Sequence, residues 1–285
     1  MAPIPQPSPP ACPAGAWANW RAPRANAVAV RPPAMYNGPV ILRNLGSGSA
    51  GNATVVSHDG RAILIDAGLP LKRMRAGLDG LALDGVLVTH CHGDHLRPVA
   101  RRLDAPFWMD AGNAREVARK PGLGDLEVRL FDGRPFRVGP FEVAPFPLPH
   151  PGGARWHSYG FLVACGGRRL AYATDLGHVP AHAVDALAEA DVLFVESNHD
   201  PDLERASGRP PWTVDWVLSD HGHLSNEQCA EALARAARPH TVVLGHLSRD
   251  CNDPDLALRT ARRALRPAAR LIAARQDDGA EDVRV

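Results

Sequence analysis

Short apolar runs bounded by turn residues recur along the chain from Tyr36 onward and predict buried strands. These strands are expected at 40–42, 53–56, 61–68, 85–88, 141–146, 158–164, 169–175, 192–195, 241–245 and 271–274. Helices are expected between them at 71–83, 96–103, 111–119, 228–237 and 255–266, with Ser225 available to cap one of them. Two strand-rich halves, each followed by helices, predict a four-layer α/β sandwich.

Three imidazoles and one carboxylate follow the predicted strand at 85–88. His90, His92, Asp94 and His95 fall within six residues. In an extended segment His90 and His92 point to the same side, and the glycine at position 93 lets the chain turn and re-aim the other two. These four groups would form two pairs of ligands that face two neighbouring ions. Imidazole and carboxylate ligands together suit zinc, manganese or iron. The alternative is a polar loop of hydrogen-bonded histidines. Cys91 faces the opposite way and is predicted to be a packed thiol.

Polar residues also end other predicted strands. Asp66, His150, Asp175 and His246 each follow an apolar run. In the predicted architecture such residues collect at one set of strand ends. Asp66 is either a helix cap or turn residue, or it supports a ligand histidine from behind.

A glycine-rich loop spans residues 45–52. Its glycines match the dinucleotide-binding fingerprint by letter, but that fingerprint needs a helix to follow. Here another predicted strand follows, so the cofactor interpretation fails. A tight turn between strands remains, with Ser47, Ser49 and Asn52 available to hydrogen-bond a substrate oxygen.

Composition narrows the class of protein only slightly. The chain has 285 residues, 45% of them hydrophobic, which is enough for one catalytic domain. A formal net charge of +1 neither supports nor excludes a nucleic-acid partner. Five cysteines without paired spacing fit a reducing compartment and predict a cytoplasmic protein. No apolar run is long enough to predict a membrane span, and the sequence does not specify an oligomeric state.

The first 34 residues differ from the rest, because they hold nine of the 27 prolines. They lack the basic start and apolar core of a secretory signal, and we expect a disordered tail at 1–34 before a domain at 35–285. Met35 lies just before the first strand and is an alternative start of translation.

The histidine cluster, together with His150, Asp175 and His246 at strand ends, resembles the metallo-β-lactamase fold. The resemblance covers residues from about 40 to the C-terminus and implies a four-layer αββα sandwich with a two-metal site. It implies that one metal is held by His90, His92 and His150, the other by Asp94, His95 and His246, with Asp175 between them. Asp66 matches the strand-end aspartate of the family.

Four further segments, at 45–52, 196–200, 222–227 and 246–252, resemble the YycJ proteins, also called WalJ or VicX. That branch is associated with 5′→3′ exonuclease activity on double-stranded DNA, which implies a DNA substrate. The same region is similar to the zinc ribonucleases of tRNA maturation. That similarity implies that Glu196 pairs with His223.

The chemistry implied is phosphodiester hydrolysis with two divalent ions, zinc or manganese, and a hydroxide bridging them. Asp94 would orient this hydroxide, and His223, polarised by Glu196, would protonate the leaving group. His223 is alternatively a helix-start histidine with local hydrogen bonds. His199 and Arg209 are candidate substrate contacts, while Trp212 and Trp216 either stack on unpaired bases or belong to a lid. An arginine stripe at 259–270 is a solvated face or a DNA contact.

Two rival functions remain at this stage. A small-substrate hydrolase of the same fold, acting on a cyclic phosphodiester or a thioester, would keep the same ligands. A non-catalytic binding or regulatory protein would have no need of an open two-metal site.

Overall fold

The computed structural model describes residues 38–150, 157–236 and 239–285, so the expected tail at 1–34 lies outside the described residues. Within the described ranges the chain forms two seven-stranded sheets. The strands of the first sheet are β1 (Val40–Gly46), β2 (Ala53–His58), β3 (Arg61–Ile65), β4 (Ala82–Leu87), β5 (Phe107–Asp110), β6 (Val128–Phe131) and β14 (Val283–Arg284). Their order is β14-β1-β2-β3-β4-β5-β6.

The second sheet has the order β13-β12-β11-β10-β9-β8-β7. Its strands are β7 (Phe136–Val138), β8 (Phe141–Leu148), β9 (Ser158–Cys165), β10 (Arg168–Ala173), β11 (Val192–Glu196), β12 (Thr241–Gly245) and β13 (Arg270–Ala273). The helices are α1 (Leu71–Leu78), α2 (Ala111–Val117), α3 (Ala181–Ala188), α4 (Pro201–Arg205), α5 (Pro211–Val217), α6 (Asn226–Arg235) and α7 (Pro254–Arg262), with a 3₁₀ helix at Pro98–Arg102.

The main hydrophobic core lies between the two sheets. Ile63 and Leu87 of the first sheet share it with Phe161, Tyr172 and Phe194 of the second, all five without solvent exposure. The rings of Tyr172 and Phe194 stack with centroids 4.7 Å apart. Burying each such side chain contributes about 1.5–3 kcal/mol, so this core holds the sheets face to face.

Helices cover the outer face of each sheet. On the first sheet, Met74 of α1 and Val117 of α2 join a second core together with Ala100 of the 3₁₀ helix. On the second sheet, Leu187 of α3 and Leu233 of α6 do the same beside α7. The predicted four-layer αββα sandwich is confirmed.

Several predicted helices are shorter than expected. The helix at 71–83 ends at Leu78, because Asp79 and Gly80 take left-handed backbone (φ 46° and 77°) and the chain then enters β4. The segment at 96–103 forms only the 3₁₀ helix that starts at Pro98. The last helix ends at Arg262, and Arg270 lies in β13, so the arginines at 259–270 do not share one helix.

The strand ends that carry polar residues meet at one edge of the sandwich. Strand β3 runs parallel to β4, and β10, β11 and β12 run parallel to one another. Within each sheet the C-terminal strand ends lie at one edge, and the two edges meet where His95 contacts both Asp66 and Asp175.

Candidate metal centre

The polar residues at this edge form two adjacent groups of metal-ligand atoms. His90, His92 and His150 each offer one ligand atom within 4.8 Å of the others. Asp94, His95 and His246 form a second group of the same size. The seven residues implied by the resemblance, these six and Asp175, thus come together from four separate segments of the chain.

Asp175 lies between the two groups. Its Oδ2 is 3.0 Å from His95 Nε2. Its Oδ1 is 3.4 Å from His246 Nε2 and 3.9 Å from His150 Nε2. One carboxylate therefore reaches histidines of both groups, as a bridging ligand would have to.

Three of the histidines are fixed from behind through Nδ1, which turns Nε2 toward the centre. Asp66 Oδ2 accepts a hydrogen bond from His95 Nδ1 at 2.7 Å. The carbonyl oxygen of Gly222 does the same for His150 Nδ1 at 2.9 Å. Glu196 Oε1 lies 3.1 Å from His246 Nδ1. Such partners set the ring orientation and the tautomer of metal-binding histidines.

Asp66 is itself held by Thr89, which follows β4 and directly precedes His90. The backbone N–H and the hydroxyl of Thr89 donate to its carboxylate at 2.9–3.0 Å. Between the cap role and the support of a ligand histidine, the contacts favour the second.

The backbone is strained at three residues of this edge. Asp66, Asp175 and His246 have φ values of 60°, 61° and 55°, in the left-handed region that side chains other than glycine avoid. Each such residue costs on the order of 1–3 kcal/mol, and strain of this kind concentrates at functional sites. The sharp turn at each strand end aims the side chain back over the edge of the sheet.

The electrostatics of the cluster suit a cation. Burial lowers the pKa of His90 well below its ordinary value and that of His92 to about 4, so both rings are neutral at neutral pH, the form in which imidazole binds a metal ion. Burial opposes charge on Asp175, but His246 and His95 outweigh it and hold the pKa of this carboxyl well below its usual range. Burial also opposes charge on His95 and His246, but Asp175 raises both pKa values. A divalent cation would supply the positive charge that these two rings otherwise carry.

An orphaned atom also fits a metal ion. His246 Nε2 is buried and has no hydrogen-bond partner in the part of the chain that the structure describes. Asp175 Oδ1 and Asp94 Oδ2 face it at 3.4 and 3.8 Å, longer than an ordinary N–H···O bond. A buried polar atom without a partner is explained by a missing ion or water. Nitrogen and carboxylate donors without thiolates fit zinc or manganese in an open site.

Glu196 and His223 lie beside the centre as a hydrogen-bonded pair. His223 Nδ1 donates to Glu196 Oε1 at 2.8 Å and lies 3.8 Å from Asp175 Oδ1. Burial opposes charge on Glu196, but His223 outweighs it and lowers the pKa of the carboxyl, so Glu196 is an acceptor. The proton therefore stays on Nδ1, and Nε2 of a ring that is 13% exposed remains for a substrate.

The predicted substrate contacts occupy different settings. Ser47 and Asn52 are fully buried, and Ser47 Oγ accepts a hydrogen bond from His246 N at 2.9 Å. Ser49 is exposed. His199 is 1% exposed, with Nδ1 lacking a hydrogen-bond partner among the described residues. Arg209 bonds to the buried carboxylate of Glu204 and to Asp250. Substrate contact by these residues stays a prediction.

Two supporting residues escaped sequence reasoning. Asn198 Nδ2 donates to the carbonyl oxygen of His246 at 2.7 Å, and so fixes a residue with strained backbone in the cluster. Gly68 leaves room for the segment that carries Asp94, because a Cβ there would lie 1.6 Å from the Asp94 carbonyl oxygen. The only sequence signal for Asn198 was its position just after a strand-end acid, and Gly68 gave no signal beyond its place after Asp66.

A four-layer αββα sandwich with this donor set at one edge defines a metallo-β-lactamase-fold, metal-dependent hydrolase. A family described as the β-lactamase superfamily domain matches residues 61–247. The chain belongs to this family, in its YycJ/WalJ branch.

Relatives with assigned names support this branch. The chain is 34% identical over 236 residues to the exodeoxyribonuclease YycJ of Bacillus anthracis, covering 78% of this chain and 87% of that protein. It is 31% identical over 231 residues to the exodeoxyribonuclease WalJ of Streptococcus pneumoniae, covering 76% and 84%. A ribonuclease Z of Streptomyces coelicolor is 27% identical over 263 residues, covering 75% and 86%.

Solved structures agree on the fold. The metallo-β-lactamase-fold protein YhfI from Bacillus subtilis superposes with a TM-score of 0.67 at 16% identity, covering 86% of this chain and all of that one. Zinc-bound PqqB from Methylobacterium extorquens gives a TM-score of 0.65 at 17% identity, with 86% and 100% covered. Among the described helices, none has the length and apolar character to cross a membrane.

Proposed function

We propose that this protein is an exonuclease that degrades double-stranded DNA from the 5′ end with two divalent ions, zinc or manganese. Two relatives of more than 30% identity are named exodeoxyribonucleases, which supports DNA as the substrate. The observation that carries the proposal is the His223–Glu196 pair beside the metal-ligand cluster. Hydrolysis of an unactivated phosphodiester needs a proton for the leaving alkoxide, and this pair can hold one there.

The proposed ligands are the seven residues of the cluster: His90, His92, Asp94, His95, His150, Asp175 and His246. Two divalent ions held there would supply an activated water and neutralise charge on the phosphate. Asp94 is the least buried carboxylate of the cluster, with 23% of its side chain exposed, so its free oxygen can accept a hydrogen bond from the attacking water. Metal binding and orientation of the water both need Asp94 to be ionised. Burial raises the pKa of Asp94, but His95 and His246 outweigh burial and keep the carboxyl group ionised.

The bond changes assign one step to each residue. The water oxygen bonds to phosphorus while the bond from phosphorus to the 3′-oxygen of the terminal nucleotide breaks. The proton lost by the water passes by Asp94 to solvent, and His223 Nε2 gives its proton to the departing 3′-oxygen. Glu196 stabilises the positive charge that His223 carries before the transfer. The products are a free nucleotide and a strand that keeps a 5′-phosphate.

Other features of the described residues agree with a reducing compartment. Cys91, Cys165, Cys229 and Cys251 are all buried free thiols, and Cys91 donates to the Asn113 carbonyl oxygen as a packed thiol. We therefore place the reaction in the cytoplasm.

The test uses purified protein with manganese or zinc and duplex DNA labelled at either end. Early release of the 5′ label as a mononucleotide is expected, and chelation should abolish it. His92→Ala should lose activity, whereas His240→Ala should not, because His240 is exposed at the opposite end of β12 from the centre. Equal activity of wild type and His92→Ala would refute the metal-dependent nuclease. Turnover of a cyclic mononucleotide or a thioester with intact DNA would instead assign a small-substrate hydrolase.

A further inference from the structure

Two tryptophans form an exposed aromatic face on α5 next to the metal centre. Trp212 and Trp216 are four residues apart and so lie on one side of the helix. They are 73% and 40% exposed, while most other large apolar residues in the described ranges are buried. Exposure of this size on a soluble fold calls for a binding role.

The Trp216 ring reaches the centre directly. Its centroid lies 5.3 Å from that of His223 and 5.7 Å from that of His150, in edge-to-face contacts. The indole therefore packs against the proposed proton donor and a proposed ligand, while 40% of Trp216 remains exposed. A group bound on this ring would sit beside the leaving-group side of the reaction.

The helix end is fixed to the centre through its backbone. The N–H of His223 donates to the carbonyl oxygen of Val217 at 3.1 Å, and the carbonyl oxygen of Gly222 accepts from His150 Nδ1. Gly222 permits this close approach, because a Cβ there would lie 2.1 Å from the Trp216 carbonyl oxygen. The ring is thus held in place before a substrate binds, which lowers the entropic cost of binding.

The charge on this helix does not favour a phosphate contact. Helix α5 has no lysine or arginine, and Asp215 is exposed between the two tryptophans. A phosphate would be repelled there, whereas an uncharged planar group would stack. Every nucleobase has such a face, so a contact of this kind is tolerant of sequence.

We propose that Trp216, extended by Trp212, binds the unpaired terminal nucleobase of the DNA substrate by stacking. This rests on the proposed function. The base belongs to the nucleotide whose 3′-oxygen takes the proton from His223. The enzyme then acts on ends at which the terminal pair has opened, and the stack offsets part of the cost of opening it.

The test measures kcat/KM on two duplexes that differ only at the 5′-terminal nucleotide, one normal and one abasic. In the wild-type protein the abasic end should be cleaved about 5- to 150-fold less well, the range for one base–aromatic stack. Trp216→Ala should lose the same factor on the normal end and nothing more on the abasic end. Trp216→Phe should recover much of the loss, and Leu130→Ala, an exposed apolar residue of β6, serves as the matched control with unchanged rates.

A second readout separates stacking from phosphate binding. The salt dependence of KM should keep its slope in Trp216→Ala, because no phosphate contact is lost. Metal content and light scattering are measured on each variant. DNA cleavage that is equal on both ends in wild type and Trp216→Ala would refute the stacking site and leave the nuclease intact. A changed slope, or loss of metal or of an oligomer in Trp216→Ala, would also refute it. Absence of any DNA cleavage by wild type would refute the proposed function itself.

Discussion

Glu196→Gln would separate two tasks of one buried carboxylate. Glu196 has no solvent exposure, and its Oε1 accepts from His223 Nδ1 at 2.8 Å and faces His246 Nδ1 at 3.1 Å. Its Oε2 accepts from the backbone N–H of Leu176 at 2.9 Å. Glutamine keeps the size but has one acceptor oxygen, so either the imidazoles or the backbone donor then meets an amide N–H.

The magnitude follows from these contacts. A hydrogen bond to a charged partner contributes about 1.5–3 kcal/mol, or about 10- to 150-fold in an equilibrium or a rate. A proton donor contributes about 10²- to 10⁴-fold to the chemical step. Loss of a residue that supports a metal ligand costs about 10- to 100-fold in metal affinity. Glu196→Gln should therefore lower kcat on DNA by about 10²-fold or more and also weaken metal binding.

The assay compares DNA with bis(p-nitrophenyl) phosphate, whose leaving group departs without a proton at neutral pH. His223→Gln is the matched variant, because it leaves the contact between Glu196 and His246 in place. It should lose activity on DNA, lose far less on the activated ester, and keep wild-type metal affinity. The double variant Glu196→Gln/His223→Gln should lose no more kcat in the proton-transfer step than Glu196→Gln loses alone.

Two results would refute this reasoning. Equal losses by His223→Gln on DNA and on the activated ester would mean that His223 donates no proton. Losses that multiply in the double variant would mean that Glu196 and His223 act independently.

Three further substitutions test the support of the centre and the N-cap of α2. Asp66→Asn removes a buried charge behind a ligand histidine and should lower metal affinity about 10- to 100-fold in chelator competition; unchanged affinity would contradict that role. Gly68→Ala should reduce both metal content and Tm because the segment carrying Asp94 must move, whereas Gly93→Ala, with nothing within 4 Å, should not; equal effects would be evidence against the packing argument. Asp110→Ala removes the N-cap of α2 and should lower the free energy of unfolding by about 1 kcal/mol in urea, with Asp110→Asn retaining most of it.

The contribution of Asp110 should also depend on pH. Burial opposes its charge, but the His157 ring 3.7 Å away and hydrogen bonds from the backbone of α2 outweigh burial and lower the pKa of Asp110. The stabilisation is therefore present above the pKa of an unfolded aspartate and is lost as the pH falls below it. The stability difference between wild type and Asp110→Ala should shrink in acid, and a constant difference would contradict this.

Much of the centre was predictable from sequence because its residues follow apolar strands directly. Asp175 and His246 end β10 and β12 within two residues, and a parallel arrangement brings such ends together. The capping box of Ser225 and Gln228 was equally local, since both partners lie within one turn. The strand-end residues and the helix cap are predictable because each depends on residues close together in sequence.

Long-range contacts were not predictable in the same way. The helix expected at 71–83 was too long because the left-handed turn at Asp79 overrides a favourable apolar pattern. Arg209 was a candidate substrate contact by residue type, but it pairs with Asp250, which lies 41 residues away in sequence. The contact between Trp216 and His150 likewise joins helix α5 to the segment after β8, which sequence spacing does not relate.

The left-handed backbone at Asp66, Asp175 and His246 costs folding stability, but it positions side chains of the candidate metal centre. Glycine at any of the three would relax the chain but leave the centre without a carboxylate or an imidazole. We therefore expect a glycine at these positions to relieve backbone strain but to abolish hydrolysis. A laboratory search for more stable variants should therefore leave these three positions unchanged.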